Sequence, residues 1–269
     1  QIYNSFKENN IPIDGIYLDL DYMENFKDFS LSEERFSDFK EFVTELKEKG
    51  IYLIPIIDAG VKVEEGYDIY EEGINGGHFC KDKDGKPYVA GVWPGKVHFP
   101  DFLNEDTQIW FGSKYKFLTD FGIEGVWNDM NEPAIFYDEK SLNEALDAAM
   151  EAKGKNLEVF SFFGLKDKFC YLANKDEYYR SFYHEIDGKL VSNEKVHNLY
   201  GFYMTKSANI GLKSLLENKR FVLISRASSI GMHRYSGIWT GDNSSWWPHL
   251  ELNIKMMPSI NMCGFFYTG

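Results

Sequence analysis

The stretch GVWNDMNEPAIF, Gly125 to Phe136, sets Asn128, Asp129, Asn131 and Glu132 directly behind the apolar pair Val126 and Trp127. A strand finishing in this way must find partners for its polar ends, because an ionised side chain is costly to bury alone. Either the segment is an exposed turn, or its acids sit in a pocket and work there. Upstream, Phe111, Tyr115 and Leu118 fall on one helical face that stops at Gly122. The local pattern is therefore helix, apolar strand, acid.

The same pattern recurs on both sides. DGIYLDLDYM (Asp14–Met23) reads as a buried strand ending in Asp19 and Asp21. It is followed by an amphipathic helix carrying Phe39, Phe42, Val43 and Leu46, closed by Gly50. IYLIPIID (Ile51–Asp58) is apolar on both faces, as a covered parallel strand should be. RFVLISR (Arg220–Arg226), GIWTGDN (Gly237–Asn243) and MCGFFYTG (Met262–Gly269) repeat the strand pattern. Met204, Ala208, Leu212 and Leu215, then Leu250, Ile254 and Met257, mark helices between them.

Such alternation implies a parallel sheet, doubly wound or closed into a barrel. Polar residues close nearly every strand: Asp19, Asp58, Asp129, Arg226 and Asp242. Strand ends converge on one face of a (β/α)8 barrel, whereas a doubly wound sheet concentrates its site at one switch point. The expected fold is α/β, a (β/α)8 TIM barrel. Residues 62–101 and 137–196 break the repeat and read as insertions after strands, where long loops tend to carry function.

Composition narrows the partners. A net charge of −13 over 269 residues argues against nucleic acid, which is bound largely through Lys and Arg. The 17% of aromatic residues suits stacking on flat apolar ligand faces. No apolar run approaches the ~20 residues of a membrane span. Cys80, Cys170 and Cys263 form neither a disulfide framework nor a zinc pattern and are expected to be buried thiols. The histidines show no ligand spacing and no phosphate-binding loop occurs, so neither metal nor cofactor is expected. HFPDF (His98–Phe102) reads equally as a pocket edge or a packed turn. The chain opens at Gln1 without Met and stops within an apolar run, so both natural ends are expected to lie outside it.

Asp129 and Asp242 each close a strand, each with a Trp shortly before it (Trp127 and Trp239) and an Asn beside it. Glycosidic bond cleavage needs two such carboxyls, one donating a proton while the other stabilises positive charge at the sugar carbon. Their surroundings must differ, so that one is protonated and the other ionised. Arg226 could hold a neighbouring acid ionised. For any single Asp after a strand, capping the next helix is the commoner fate; for the set of strand-end acids in one barrel, that reading is strained.

WNDMNEP resembles the nucleophile signature of glycoside hydrolase family 31, the α-glucosidase and α-xylosidase family. LDLDYM and SRASSIGMHRYSGIWTGDN resemble two further family segments in the same order, and VWPG and FPDF fall where the family has similar ones. The resemblance covers essentially the whole chain and is closest to bacterial α-glucosidases. It implies Asp129 as nucleophile and Asp242 as general acid/base. It further implies Asp19 on the outer sugar hydroxyls, Asp58 at the pocket floor and Arg226 between sugar and acids. Trp93, Trp127, Met130, Phe136 and Trp239 would be its walls.

The implied reaction is release of terminal α-linked glucose from oligosaccharides with retention, the carboxyls standing about 5–5.5 Å apart. The resemblance also implies flanking β-domains, a first strand and a last strand with a pocket His that this chain lacks. The barrel is therefore expected to be incomplete, about strands two to seven, with insertions after strands three and four. The chain alone is expected to be inactive, its main partner being the rest of its own polypeptide. An α-xylosidase, a transglucosylase, an α-glucan lyase and a non-catalytic sugar-binding module are the alternatives. Linkage, compartment and oligomeric state, including a homo-oligomer, stay open.

Overall fold

The computed structural model describes residues 1–217 and 219–265, and the backbone of Tyr267 and Thr268. The chain divides into two units, one of Gln1–Asp58, Gln108–Asn131 and Gly201–Gly269, the other of Ala59–Thr107 and Glu132–Tyr200.

The first unit is built on six strands: β1 (Gly15–Leu18), β2 (Tyr52–Ile57), β3 (Gly125–Asn128), β4 (Val222–Ser225), β5 (Gly237–Trp239) and β6 (Tyr267–Thr268). Their order in the sheet is their order in the chain, and every pairing is parallel. Consecutive strands usually lie side by side, and parallel neighbours need a crossover connection between them. The register aligns the strand ends, with Ile57 opposite Asn128 and Asn128 opposite Ser225. Among the described residues β1 and β6 are the sheet's two edges, so the barrel is not closed. This is the expected α/β fold, an incomplete barrel.

The apolar pattern explains the layers. β2 is buried from Leu53 to Ile57, as a strand covered on both faces must be. Helix Phe39–Glu48 buries Phe39, Val43 and Leu46, and the chain leaves it through Gly50 at φ 77°. Phe111, Tyr115 and Leu118 are all fully buried. Phe111 and Leu118 are carried by two consecutive helices, Glu105–Lys114 and Lys116–Thr119, with Tyr115 between them, where the spacing suggested one helix.

Helix Tyr200–Leu216 buries Met204, Ala208 and Leu212 as its period demands. It also meets the Glu105–Lys114 helix backbone to backbone. A Cβ on Gly211 would stand 2.0 Å from the Gly112 carbonyl oxygen, and one on Gly112 would stand 2.6 Å from the Ser207 carbonyl oxygen. Ser207 Oγ seals the crossing by donating to the Gln108 carbonyl at 2.6 Å. The last helix, Trp247–Met262, differs: Leu250, Ile254 and Met257 are exposed. Its Ile260 packs on a small cluster of Met232, Ile238 and Phe265.

The second unit holds an antiparallel sheet in the order Val61–Lys62, Gly95–His98, Ala90–Val92, Tyr137–Asp138, and a hairpin of Tyr183–Ile186 with Lys189–Ser192. Its core is aromatic: Phe182 stacks on Tyr88 at 5.1 Å, and Tyr200 meets Phe102 edge-on at 5.3 Å. HFPDF is packed here, with His98, Phe99, Asp101 and Phe102 all buried. The cysteine expectation needs correcting. Cys80 is buried, but Cys170 and Cys263 are exposed. Cys170 ends a helix, Val159–Cys170, that has no buried residue, and Cys263 is the C-cap of the last helix.

Candidate active site

Strands β1 to β5 are each followed directly or within three residues by a polar side chain. After β1, Asp19 is exposed and its Oδ1 accepts the Leu20 N–H at 2.8 Å, starting the turn Leu20–Tyr22. Here the helix-capping alternative describes a contact that is present. After β2, Asp58 is only 3% exposed, and its N–H donates to Oδ1 of the fully buried Asp28 at 2.9 Å. After β3, the Asp129 N–H continues the ladder by donating to the Ile57 carbonyl at 3.0 Å. After β4, the Arg226 N–H does the same to the Asn128 carbonyl at 3.2 Å. Asp242 follows β5 and is exposed.

The ladder brings Arg226 beside Asp129. Arg226 Nη1 lies 3.0 Å from Asp129 Oδ1, with the two side chains 20% and 13% exposed. Arg226 Nη2 also reaches Met130 Sδ at 3.2 Å. Charge-assisted contacts of this kind are stronger than neutral ones, more so where water is partly excluded.

Met130 has φ 54°, a left-handed backbone that costs a non-glycine residue roughly 1–3 kcal/mol. Asn131 offsets that strain. It is fully buried; its Nδ2 donates to Ser225 Oγ at 2.9 Å and its Oδ1 accepts the Ala227 N–H at 3.0 Å. One amide thus pins the segment after β3 to the end of β4. The quoted stretch displays Asn131, but only the fold reveals its partners.

Two tryptophans of the same unit, on β3 and β5, meet each other. The rings of Trp127 and Trp239 meet edge to face, centroids 5.3 Å apart at 78°. Trp127 Nε1 donates to the Leu18 carbonyl at 3.1 Å, so the β3 side chain reaches past β2 to β1. Trp93 and Phe136 pack edge-on within the second unit, 5.4 Å apart, and Trp93 is half exposed.

Two buried tyrosines tie the strand ends to their surroundings in ways the sequence did not show. Tyr22 donates its hydroxyl to the Ile56 carbonyl, and Tyr115 donates to Asn128 Oδ1, each at 2.7 Å. Burial pushes both hydroxyls well above the usual phenol range. Burial, and then the charge of Asp58, push the Asp28 carboxyl well above the usual carboxylate range, opposed by the Asp58 N–H.

One group of potential metal ligands occurs among the described residues: Cys80, Asp101 and His184, all buried in the second unit. His184 Nδ1 contacts Asp101 Oδ1 at 2.6 Å and Cys80 Sγ at 3.6 Å, while its Nε2 contacts Asn193 Oδ1 at 3.0 Å. Two ligand atoms on a tetrahedral zinc stand about 3.3 Å apart, given zinc bonds of about 2.0–2.1 Å. The His184–Asp101 contact is tighter than that, a hydrogen bond rather than a coordination edge. No local spacing could announce this trio, since Cys80 and Asp101 lie 104 and 83 positions from His184.

Against known families, all 269 residues match the description "Glycosyl hydrolases family 31 TIM-barrel domain". The chain belongs to glycoside hydrolase family 31. Over its full length this family 31 chain is 38% identical to alpha-glucosidase 2 of Bacillus thermoamyloliquefaciens, spanning 30% of that protein. It is 29% identical to an alpha-glucosidase of Saccharolobus solfataricus, spanning 36% of it. Among solved structures, the glucosidase II alpha subunit superposes over 98% of the family 31 chain with a TM-score of 0.76 at 25% identity, the match covering 25% of that subunit. A family 31 alpha-glucosidase from Bacteroides thetaiotaomicron gives 0.72 at 28% identity, over 99% of this chain and 37% of its own. The chain thus spans between a quarter and somewhat over a third of the length of these relatives.

Proposed function

We propose that this chain is the larger part of the catalytic barrel of a retaining α-glucosidase, with residues 62–101 and 137–196 inserted in that barrel. The observation that carries the reading is Arg226 Nη1 held 3.0 Å from Asp129 Oδ1 at the adjoining ends of β4 and β3. A carboxylate that attacks a sugar carbon must be ionised, and the guanidinium supplies the countercharge beside it. Relatives named alpha-glucosidase, matched along the whole of this chain, support the same activity.

In the proposed reaction Asp129 attacks the anomeric carbon of a terminal α-linked glucose while Asp242 protonates the departing glycosidic oxygen. A β-glucosyl ester forms. Asp242, now a base, takes a proton from water, which attacks the ester and releases glucose of unchanged α-configuration. The exposure of Asp242 leaves it open to the leaving group and to water. Trp127 and Trp239 offer ring faces and edges to the apolar side of the sugar. Asp58 and Asp19 act as acceptors for its hydroxyls.

The test is kinetics of the full-length protein on α-1,4, α-1,6 and α-1,3 glucose disaccharides and on an α-xyloside, with Asp129→Ala as control. Proton NMR reads the first anomer released. Release of α-glucose, lost in Asp129→Ala, supports the reading. Release of β-glucose or preference for the xyloside contradicts it, as do elimination products or binding without turnover.

A further inference from the structure

The first unit holds a second pair of acids, of which the proposed reaction uses one at most. Asp58 closes β2 at 3% exposure, and Asp28 is completely buried. They are joined through the Asp58 N–H, which donates to Asp28 Oδ1 at 2.9 Å. Two carboxyls at this depth do not both ionise cheaply, since burial penalises each charge and each charge penalises the other. The titratable neighbours of Asp28 include Tyr22, on the turn after β1, and Tyr115, between the two helices before β3. The hydroxyl proton of Tyr22 is committed to the Ile56 carbonyl and that of Tyr115 to Asn128. Phe29, the residue after Asp28, is wedged edge-on against Phe111 at 5.2 Å and Tyr115 at 5.3 Å, which fixes where the acid points.

We propose that Asp28 is a positioning residue for the sugar pocket: as the neutral member of the pair it clamps the end of β2 through the Asp58 N–H and leaves Asp58 as the charged acceptor for a sugar hydroxyl. The role of Asp58 rests on the glycosidase reading; the clamp does not. The upward displacement of the Asp28 carboxyl, caused first by burial and then by Asp58, runs in the required direction. The sign follows. A carboxyl whose folded pKa is raised contributes stability that is complete below its unfolded pKa and is lost as pH rises through the folded one.

The experiment uses the full-length protein with Asp28→Asn, which keeps the acceptor oxygen without titrating, and Asp28→Leu, which removes it. Thermal unfolding is followed from pH 5 to pH 8. The melting temperature of Asp28→Asn relative to the parent is expected to climb with pH, by about 3 °C or more across the range. A difference that is flat, or that falls with pH, overturns the neutral clamp. On an α-glucoside, Asp28→Leu is expected to raise KM about tenfold, the loss of one buried hydrogen bond, and Asp28→Asn to recover most of it. Parental KM in Asp28→Leu overturns the link to the pocket. If the parent itself does not turn over α-glucosides, the glycosidase reading fails, while the melting series still decides the clamp.

Discussion

Arg226 holds Asp129 and the residue after it with the two arms of one guanidinium. Its Nη1 stands 3.0 Å from the carboxylate, while its Nη2 holds the sulfur of Met130, the next residue in the chain, at 3.2 Å. One side chain from β4 therefore sets both the charge and the direction of the acid that ends β3.

Lysine keeps the charge but cannot make both contacts, because its ammonium is a compact point charge and not a planar fork. Arg226→Lys in the full-length protein is expected to lower kcat/KM on an α-glucoside by about 2 kcal/mol, roughly 30-fold, discounting a fully buried pair for its partial exposure. Unchanged kinetics would show that the contact is structural only.

Gly211→Ala tests the helix crossing. The added methyl would stand 2.0 Å from the Gly112 carbonyl, so the helices must separate. Overpacking of this kind costs about 1–3 kcal/mol, and more where backbone must move. A melting temperature within a degree of the parent's would contradict the close approach.

His98 predicts a pH dependence in the second unit. Burial pushes its imidazole below the usual range, against the raising effect of its hydrogen bond to the Tyr88 carbonyl at 2.7 Å. Because the folded pKa is depressed, the neutral ring favours the fold above the unfolded value, about 6.5. That contribution fades as pH falls from there through the folded pKa. His98→Asn, which can keep the bond to Tyr88, is expected to lose less stability than the parent between pH 7.5 and pH 5. Parallel melting curves at the two pH values would contradict this.

Trp127→Phe keeps a ring beside Trp239 and deletes the donor to the Leu18 carbonyl. A net loss of about 1 kcal/mol in stability is expected. Trp239→Ala should mainly raise KM, since it removes a face offered to sugar and no buried hydrogen bond. If Trp239→Ala lowered kcat and left KM alone, the ring would be acting on the reacting centre itself.

The six parallel strands could be read in the sequence because each is a short apolar run, and nearly every one is closed by a polar residue, as at Asp58, Asp129 and Arg226. Strand–helix alternation is a local signal, and a parallel sheet in chain order is its simplest global consequence. That the barrel would be incomplete came instead from the family resemblance, which implies a further strand on either side. What lay hidden depends on residues far apart in the chain. Gly112 and Gly211 look like two ordinary helix-weakening glycines until their backbones touch. Asp28 reads as a loop acid until it is found on the Asp58 N–H. Cys170 was expected inside, yet it ends a helix whose residues are all outside the core. The antiparallel sheet of the second unit is made of strands only two to four residues long, too short to carry a legible alternation.

The proposed mechanism is tested most directly by trapping. The full-length protein, treated with a slow-releasing fluorinated α-glucosyl fluoride and digested, is expected to yield one labelled peptide, its mass raised by a fluoroglucosyl group on Asp129. Label on Asp242, or catalytic turnover of α-glucosides with no ester on residue 129, would contradict the account.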